Sequence, residues 1–347
     1  MSASSDQRKR IEEKLPHELL KELYLNSRVS IKELERKFGI SHHTLSKCLK
    51  ECEEKYDLYY TLDLDIRKLG FSEQRIVTVK FERMPDLRLL KKALKKYNVV
   101  QNAYIGSGDF DLVMHTVGLN QLDYAWWLFN FRVEFSNYRP SVKVVAINSA
   151  GVGFLPLQYE LIEYSNSINN AEKKVLSVLL KNSRMGLKEL SSVVGFSQMR
   201  VLYIIRKLCK IGIIKRFTTC VQNPDKKFFM FFSLNIVPTE DHEPILKTLW
   251  INNVMNREEK GVTTNYAVIY DTFGYFDAIF FCNFENGIDI DMFGPGLFER
   301  VWKSENPISQ KTILTQIIIG KWPFNKNDYV GLKSASKKIS PRIKAYL

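Results

Sequence analysis

The side chains of this sequence whose types and spacing best suit chemistry are a group of hydrogen-bonding and cationic side chains. Amide, guanidinium and phenol groups can hydrogen-bond to base edges, and Lys and Arg side chains neutralise phosphates. Such groups are concentrated between residues 198 and 216. The candidates for base edges are Gln198, Arg200 and Tyr203, and the candidates for phosphates are Arg206, Lys207, Lys215 and Arg216.

An earlier stretch offers a second and weaker set of the same kind. Its base-side candidates are His42, His43, Ser46 and Lys47, and its phosphate candidate is Lys50. Residues 41–70 hold five Lys or Arg against six Asp or Glu, whereas residues 197–226 hold seven against one. Because phosphate neutralisation supplies most non-specific affinity for DNA, we expect the later set to hold DNA more firmly.

The elements that must position both sets form an internal repeat with an offset of 156 residues. Residues 26–34 and 182–190 are identical at six of nine positions, and Gly39-Ile40-Ser41 aligns with Gly195-Phe196-Ser197. In each copy apolar residues at helical spacing predict three helices, with the glycine in a tight turn between the second and third. This order is typical of a helix-turn-helix whose third helix enters the major groove of DNA. A small helical bundle with only a packing role is the alternative.

A different pattern follows each copy of the repeat. The first is predicted as strand 76–81, helix 86–97, strands 100–105 and 110–116, helix 123–135 and strand 142–147. The second is predicted as strand 228–237, helix 243–253, strands 264–270 and 276–283, helix 289–301 and strand 311–319. Both have the order βαββαβ of a ferredoxin-like unit. The predicted fold class is α+β, with two winged helix-turn-helix domains alternating with two ferredoxin-like βαββαβ domains.

The composition shifts predict six segments. They are a helix-turn-helix at 1–71, a βαββαβ domain at 72–148, a linker at 149–170, a second helix-turn-helix at 171–226, a second βαββαβ domain at 227–322 and a basic tail at 323–347. Residues 321–347 carry seven Lys or Arg and one Asp. Both a solvated tail and an arm on phosphates fit that charge.

Composition limits the classes of partner. The formal charge of +13 and the pI near 9.3 favour a polyanion such as DNA. The five cysteines have no metal-ligand spacing, so we expect reduced thiols, no metal and no cofactor. No apolar run is long enough to span a membrane, from which we expect no membrane partner and a cytoplasmic location.

The sequence resembles the Lrp/AsnC, or feast/famine, family of transcription regulators. The most specific match is the turn Gly108-Asp109-Phe110-Asp111, which is similar to the family's Gly-x-Tyr/Phe-Asp turn and recurs as Gly274-Tyr275-Phe276-Asp277. The third helix and exit of the second helix-turn-helix, residues 197–217, also resemble the family. In the first copy Tyr56 stands where the second has Gly212, and acidic residues crowd the helix end.

This resemblance implies a DNA-binding transcriptional regulator in which the second helix-turn-helix gives most of the affinity for double-stranded DNA. Sensing domains of the family dock in pairs, so the fusion should form a pseudo-dimer within one chain, with homo-oligomers of such pairs as a further expectation. The resemblance also implies a small-molecule effector, such as an amino acid, near Gly108, Asp111, Gly274 and Asp277. Carboxylates that only brace a tight turn are the alternative.

Two other functions remain open. Siroheme decarboxylases share the two-domain plan, but no paired His and Arg occupy the strand loops at 102–108 or 265–273, and no other catalytic signature is present. His115 is expected to be a satisfied core residue. We therefore predict that the chain is not an enzyme. The second alternative is a protein that coats DNA without reading its sequence.

Overall fold

The computed structural model describes residues 15–16, 18–20, 22–56, 58–152, 155–221, 228–234, 264–284 and 308–320. The predicted helices at 243–253 and 289–301 and the basic tail lie outside these residues. The predicted α+β class is confirmed. Among the described residues no helix combines the length and the apolarity that crossing a membrane requires.

The first helix-turn-helix begins with helical residues between 15 and 25. Helices α1 (Ile31–Phe38) and α2 (His42–Tyr56) follow, and then strand β1 (Leu58–Leu64). The Ser30 side chain accepts from the N–H of Glu33, and the Glu33 carboxylate accepts from the N–H of Ser30. This reciprocal cap, whose sequence pattern is a Ser followed three residues later by a Glu, fixes the start of α1.

The first βαββαβ unit follows directly. Its elements are β2 (Glu73–Lys80), α3 (Leu87–Leu94), β3 (Val100–Gly108), β4 (Leu112–Gly118), α4 (Gln121–Glu134) and β5 (Ser141–Val152). The order of these strands in the sheet is β3-β4-β2-β5, which is that of a split βαββαβ unit. Strand β5 runs five residues beyond its predicted end at 147. The predicted linker is also ordered locally, with a 3-10 helix at Tyr159–Tyr164 and with Leu155 and Leu157 buried.

The second helix-turn-helix comprises α5 (Asn170–Lys181), α6 (Leu187–Val194), α7 (Gln198–Lys210) and strand β6 (Ile214–Val221). Gly195, between α6 and α7, has φ +73°, and its counterpart Gly39 has φ +66°. The Ser197 hydroxyl accepts from the N–H of Arg200 at 3.3 Å and caps α7.

The two helix-turn-helix units exchange strands. Although the sequence predicts β1 as a hairpin or wing of its own unit, β1 pairs antiparallel with β6 of the other, Leu58 opposite Val221 and Asp63 opposite Arg216. Leu62 of β1 lies in one buried cluster with α5, α6 and α7, and Cys220 of β6 lies in the cluster of the first unit. Each hydrophobic core therefore requires a strand from the other unit.

The remaining strands are β7 (Phe228–Leu234), β8 (Thr264–Gly274), β9 (Ala278–Phe284) and β10 (Ile308–Ile319). Together with β2–β5 they form one closed sheet in the order β10-β3-β4-β2-β5-β8-β9-β7. The two halves join twice, through β5 with β8 and through β10 with β3. Phe110 and Tyr104 of the first half and Phe276 and Phe281 of the second share one core. The sheet of the first half has a second face, which does not contribute to this core and is covered by α3 and α4.

Candidate nucleic-acid interface

Helix α7 divides into a buried face and an exposed face. The buried face consists of Val201, Ile204, Ile205 and Leu208, which join the core of the second helix-turn-helix. The exposed side chains are Gln198, Met199, Arg200, Tyr203, Arg206, Lys207, Cys209 and Lys210. None of them is acidic, and the Tyr203 side chain is 68% exposed. A helix with this surface suits insertion into the major groove of a polyanion.

The base-side candidates of α7 are presented at its first two turns. The Arg200 guanidinium lies over the Phe196 ring, 4.3 Å from its centroid, so the side chain is held by a cation–π contact while it stays exposed. Gln198 lies in the same first turn. The sequence prediction omits Met199 and Lys210, although helical spacing from Tyr203 and Arg206 indicates both. Met199, 74% exposed, offers an apolar contact of the kind that thymine methyl groups accept.

The candidate phosphate contacts of the second unit differ in whether a carboxylate of the chain already engages them. Arg206 and Lys215 are exposed, and no ion pair engages either of them within the described residues. The Lys207 ammonium donates to Glu172 Oε1 of α5 at 2.6 Å, and this hydrogen bond raises the pKa of Lys207. Lys207 therefore shares its charge with a carboxylate of its own unit.

Arg216 is a correction to the predicted set. Its guanidinium bonds Asp63 Oδ2 of β1 and the hydroxyl of Tyr24, both at 2.9 Å, and lies 4.3 Å from the centroid of the Tyr24 ring. Burial alone would lower the pKa of Arg216, but Tyr24 and Asp63 more than offset it and the pKa is raised. Because Asp63 and Tyr24 engage this group at the junction between the units, Arg216 is less available for a phosphate contact than the sequence predicts.

The predicted contacts of the first unit are brought together on α2 but are less basic. His42 and His43 are exposed, and the Ser46 hydroxyl lies 3.3 Å from His42 Nδ1. Lys47 and Lys50 each face a carboxylate one turn later at 3.8 Å, Glu51 and Glu54 respectively. These exposed pairs add little stability, but they reduce the positive potential that a phosphate would meet.

The two units are held together by hydrogen bonds between the residues that precede their second helices. The Ser27 and Ser183 hydroxyls lie 2.6 Å apart and are buried. The Arg28 side chain donates to the carbonyl oxygens of Ser183 and Met185 at 2.7 and 2.8 Å. Burial lowers the pKa of Arg28. These hydrogen bonds connect the two units that carry α2 and α7, the third helices of the first and second copies of the repeat.

In the two glycine turns predicted to bind an effector, the Phe side chains meet in the shared core, whereas Gly108 and Gly274 are exposed. Phe110 and Phe276 contact each other edge to face, with centroids 6.3 Å apart. The Asp111 carboxylate accepts from Lys80 Nζ at 2.7 Å and from the Phe81 N–H at 2.8 Å. Asp111 therefore braces its own strands, as the alternative interpretation expects.

An open cavity of about 440 Å³ lies elsewhere, between α3 and the segment after β5. Lys91, Lys95, Tyr97 and Gln158 are among its lining residues.

His115 is a core residue, as expected. It is fully buried on β4, and its two ring nitrogens lie 3.0 Å from Gln74 Nε2 and 3.3 Å from Asn102 Nδ2. Burial lowers its pKa to about 3, so the ring is neutral at physiological pH. Across the described part of the chain no three His, Cys, Asp or Glu side chains are grouped as a metal site would need.

Comparison with known proteins identifies one of the two units directly. The winged helix-turn-helix DNA-binding family matches residues 168–215. These residues form a winged helix-turn-helix. An uncharacterized HTH-type transcriptional regulator of Pyrococcus furiosus is 30% identical over 84 residues, which are 24% of this chain and 56% of that protein. The chain thus matches just over half the length of this curated relative.

Most of the chain is similar in fold to a solved enzyme. The structure of the siroheme decarboxylase NirDL matches 94% of this chain and 100% of its own, with a TM-score of 0.56 and 13% identity. A co-complex of NirDL with an iron-uroporphyrin III analogue matches 92% of this chain and 95% of its own, with a TM-score of 0.54 and 15% identity. At this identity the match concerns the fold alone.

Proposed function

We propose that the chain is a DNA-binding transcriptional regulator of the Lrp/AsnC type, in which the winged helix-turn-helix at 168–215 supplies most of the DNA affinity. The observation that carries this proposal is the exposed face of α7, where Arg200, Tyr203 and Arg206 project from a helix without a single acidic side chain. The doubled Gly-x-Phe-Asp turn and the similarity to an HTH-type regulator support it.

The division of the chain into two helix-turn-helix domains and two βαββαβ domains belongs to the same proposal. In it the first helix-turn-helix has a mainly structural role. Its strand β1 completes the core of the second unit, and Lys68, just after β1, donates to the carbonyl oxygen of Ile211 at 2.9 Å beyond the end of α7. Because α2 and α7 differ in sequence, a specific DNA site lacks good two-fold symmetry.

Selection of bound duplexes from a random pool tests this function. The full chain is compared with an Arg200→Ala/Tyr203→Ala variant, whose changed side chains are exposed and leave the core of the unit intact. We expect the wild type to enrich one asymmetric motif and the variant to lose it. Salt-sensitive binding with no enriched motif would instead establish a protein that coats DNA.

A second candidate function, suggested by the NirDL fold match over 94% of the chain, is decarboxylation of an iron tetrapyrrole carboxylate. Titration of the purified chain with an iron uroporphyrin, followed by visible absorption, separates the two functions. We expect no shift of the Soret band at micromolar protein. A saturable shift together with failure to bind any duplex would favour the enzyme.

A small-molecule effector is a separate element of the proposal. The Asp111 carboxylate is already engaged by Lys80 and by the N–H of Phe81, so ligand binding at the glycine turns requires a rearrangement of these contacts. Calorimetric screening with amino acids, repeated on an Asp111→Asn variant, tests this point. A ligand whose affinity is unchanged in the variant binds elsewhere.

A further inference from the structure

The open cavity beside α3 lies where three distant parts of the chain meet. Its walls are the end of α3 with the start of β3, the 3-10 helix at Tyr159–Tyr164 with Gln158, and the end of β10. A volume of about 440 Å³ lies within the range of small-molecule sites, which occur preferentially at junctions between domains. The position and the size of the cavity therefore suit a small ligand.

Hydrogen bonds between the walls order the cavity before any ligand binds. The N–H of Gln158 donates to Gln101 Oε1 at 2.9 Å, and the Gln158 side-chain amide donates to the carbonyl oxygens of Val100 and Gln101 at 3.0 Å. Gln101 is 1% exposed and also donates to the carbonyl oxygen of Asn98 at 2.6 Å. On the third wall Gly320 approaches so closely that a Cβ there would lie 2.5 Å from the Gln101 carbonyl oxygen. A ligand thus enters a site with ordered walls, which lowers the entropic cost of binding.

Two cations line this cavity. Lys91 and Lys95 stand one helical turn apart, both are exposed, and no ion pair engages either of them among the described residues. Among the lining residues that the structure describes, Glu160 is the one carboxylate, and it already accepts a hydrogen bond from the Tyr159 hydroxyl. Because two ammonium groups close together concentrate positive potential at the cavity, its electrostatics favour an anionic group on the ligand.

The cavity also has an apolar part, to which the side chains of Leu94, Leu161 and Ile318 contribute. We propose that the cavity binds a small molecule with one anionic group, a carboxylate or a phosphate, and an apolar body. Lys91 and Lys95 hold the anionic group, and the apolar lining residues contact the body. The site is separate from the two glycine turns, whose residues do not line the cavity.

One residue of the cavity also belongs to the core of the second helix-turn-helix. Leu161 lines the cavity and is buried in one cluster with Val175 and Leu179 of α5. In the same 3-10 helix, the carbonyl oxygen of Glu163 accepts from Lys173 Nζ of α5 at 2.7 Å. A ligand that contacts Leu161 therefore acts on an element against which α5 packs. Its effect is to change the DNA affinity of the second unit, and this part of the proposal rests on the proposed function.

Calorimetric titration of the full chain at constant ionic strength tests the site. Hexanoate and hexyl phosphate are the anionic probes, and hexylammonium, which joins the same apolar chain to a cationic group, is the control. We expect an anionic probe to bind with a dissociation constant of about 1 mM or below, and hexylammonium to bind at least about tenfold more weakly. The tighter of the two anions identifies the anionic group that the cavity prefers. Binding of neither anion, or equal binding of all three probes, overturns the site.

A pair of double variants locates the bound probe. Lys91→Gln/Lys95→Gln removes both cations of the cavity, whereas Arg88→Gln/Lys92→Gln removes two exposed cations of α3 that have the same spacing and do not line it. We expect the first variant to bind the tighter anion at least about tenfold more weakly, and the second to bind it as the wild type does. All four side chains are exposed, so both variants should keep the fold. Equal losses in the two variants would place the anion outside the cavity and overturn the assignment.

Anisotropy titration of a labelled duplex, with and without a saturating concentration of the tighter probe, tests the effect on DNA binding. We expect the probe to change the dissociation constant for DNA at least about fivefold in the wild type and to leave it unchanged in Lys91→Gln/Lys95→Gln. A probe that binds the cavity of the wild type without changing its DNA affinity overturns the coupling. Failure of the chain to bind any duplex contradicts the proposed function instead, because the calorimetric test of the site contains no DNA.

Discussion

The hydroxyl groups of Ser27 and Ser183, which occupy the same position in the two copies of the repeat, hydrogen-bond to each other at 2.6 Å. The N–H of Ser27 donates to the Phe217 carbonyl at 3.0 Å, and the N–H of Ser183 donates to the Tyr60 carbonyl at 3.2 Å. The same contact thus occurs twice with the units exchanged. A residue that touches its own counterpart lies on a pseudo-two-fold axis, so the helix-turn-helix units are related as the subunits of a dimer are.

The ion pair between Asp63 and Arg216 should stabilise the junction of the units. Because Asp63→Leu leaves the Arg216 guanidinium largely buried without its carboxylate, we expect the free energy of unfolding in urea to fall by about 3 kcal/mol. The double variant Asp63→Leu/Arg216→Leu should lose less than the two single variants together. The matched control is Glu82→Gln, which breaks an ion pair with Arg139 that is mostly exposed and should cost under about 1 kcal/mol. Additive losses at Asp63 and Arg216 would contradict coupling.

The exposed cations of the second unit should dominate the salt dependence of DNA binding. For Arg206→Glu/Lys215→Glu we expect the slope of log affinity against log salt to become shallower by about 2, since each lost phosphate contact removes about 0.9. For Lys47→Glu/Lys50→Glu, whose cations already face Glu51 and Glu54, we expect a change below about 1. Anisotropy titrations of a labelled duplex at several salt concentrations measure both slopes. Equal changes in the two slopes would show that the two units contribute equally to the electrostatic part of DNA binding.

The buried imidazole of His115 should make stability depend on pH. Its pKa is lowered to about 3 in the folded chain, whereas an unfolded histidine titrates near 6.5. Below about pH 6.5 the unfolded chain binds a proton that the folded chain does not, so the free energy of unfolding falls as the pH drops towards 3, by up to about 1.4 kcal/mol per unit. Urea titrations at about pH 7.5, 6 and 5 measure this slope. His115→Gln should reduce it, and His42→Gln, on the exposed start of α2, should retain it.

The turn after β8 should tolerate no side chain at Gly274. This residue has φ +128°, and a Cβ there would lie 3.3 Å from the carbonyl oxygen of Val144 on the neighbouring β5. We expect Gly274→Ala to lower the free energy of unfolding by about 1–3 kcal/mol, measured by urea denaturation. Gly118→Ala is the control, because its nearest contacts would be at ordinary distances of 3.6 Å and beyond. A similar cost in both variants would show that backbone strain is not the cause.

The features that sequence alone predicts here are local ones. The cap formed by Ser30 and Glu33 and the turn at Gly195 depend on residues within a few positions, and the structure has both. The buried position of His115 follows from its place on an apolar strand. The buried and exposed faces of α7 follow from helical spacing, by which Met199 is also predictable.

The features that the sequence does not reveal depend on pairing between distant segments. The exchange of β1 and β6 joins residues about 155 positions apart, and no local pattern distinguishes it from a hairpin within one unit. The same exchange buries Arg216 beside Asp63, although the sequence around Arg216 is that of an exposed basic wing. The partner of a charged side chain is therefore predictable only after the strand register is known.

The closed sheet joins the two halves of the chain permanently, because they belong to one polypeptide. Since both junctions, β5 with β8 and β10 with β3, occur inside one chain, the edge strands of each half are already occupied. In an assembly of two identical subunits every mutation appears on both sides of the axis at once. Here a substitution in one half does not alter the sequence of the other half. A binding surface of the first half can therefore be lost or gained while the equivalent surface of the second half keeps its original function.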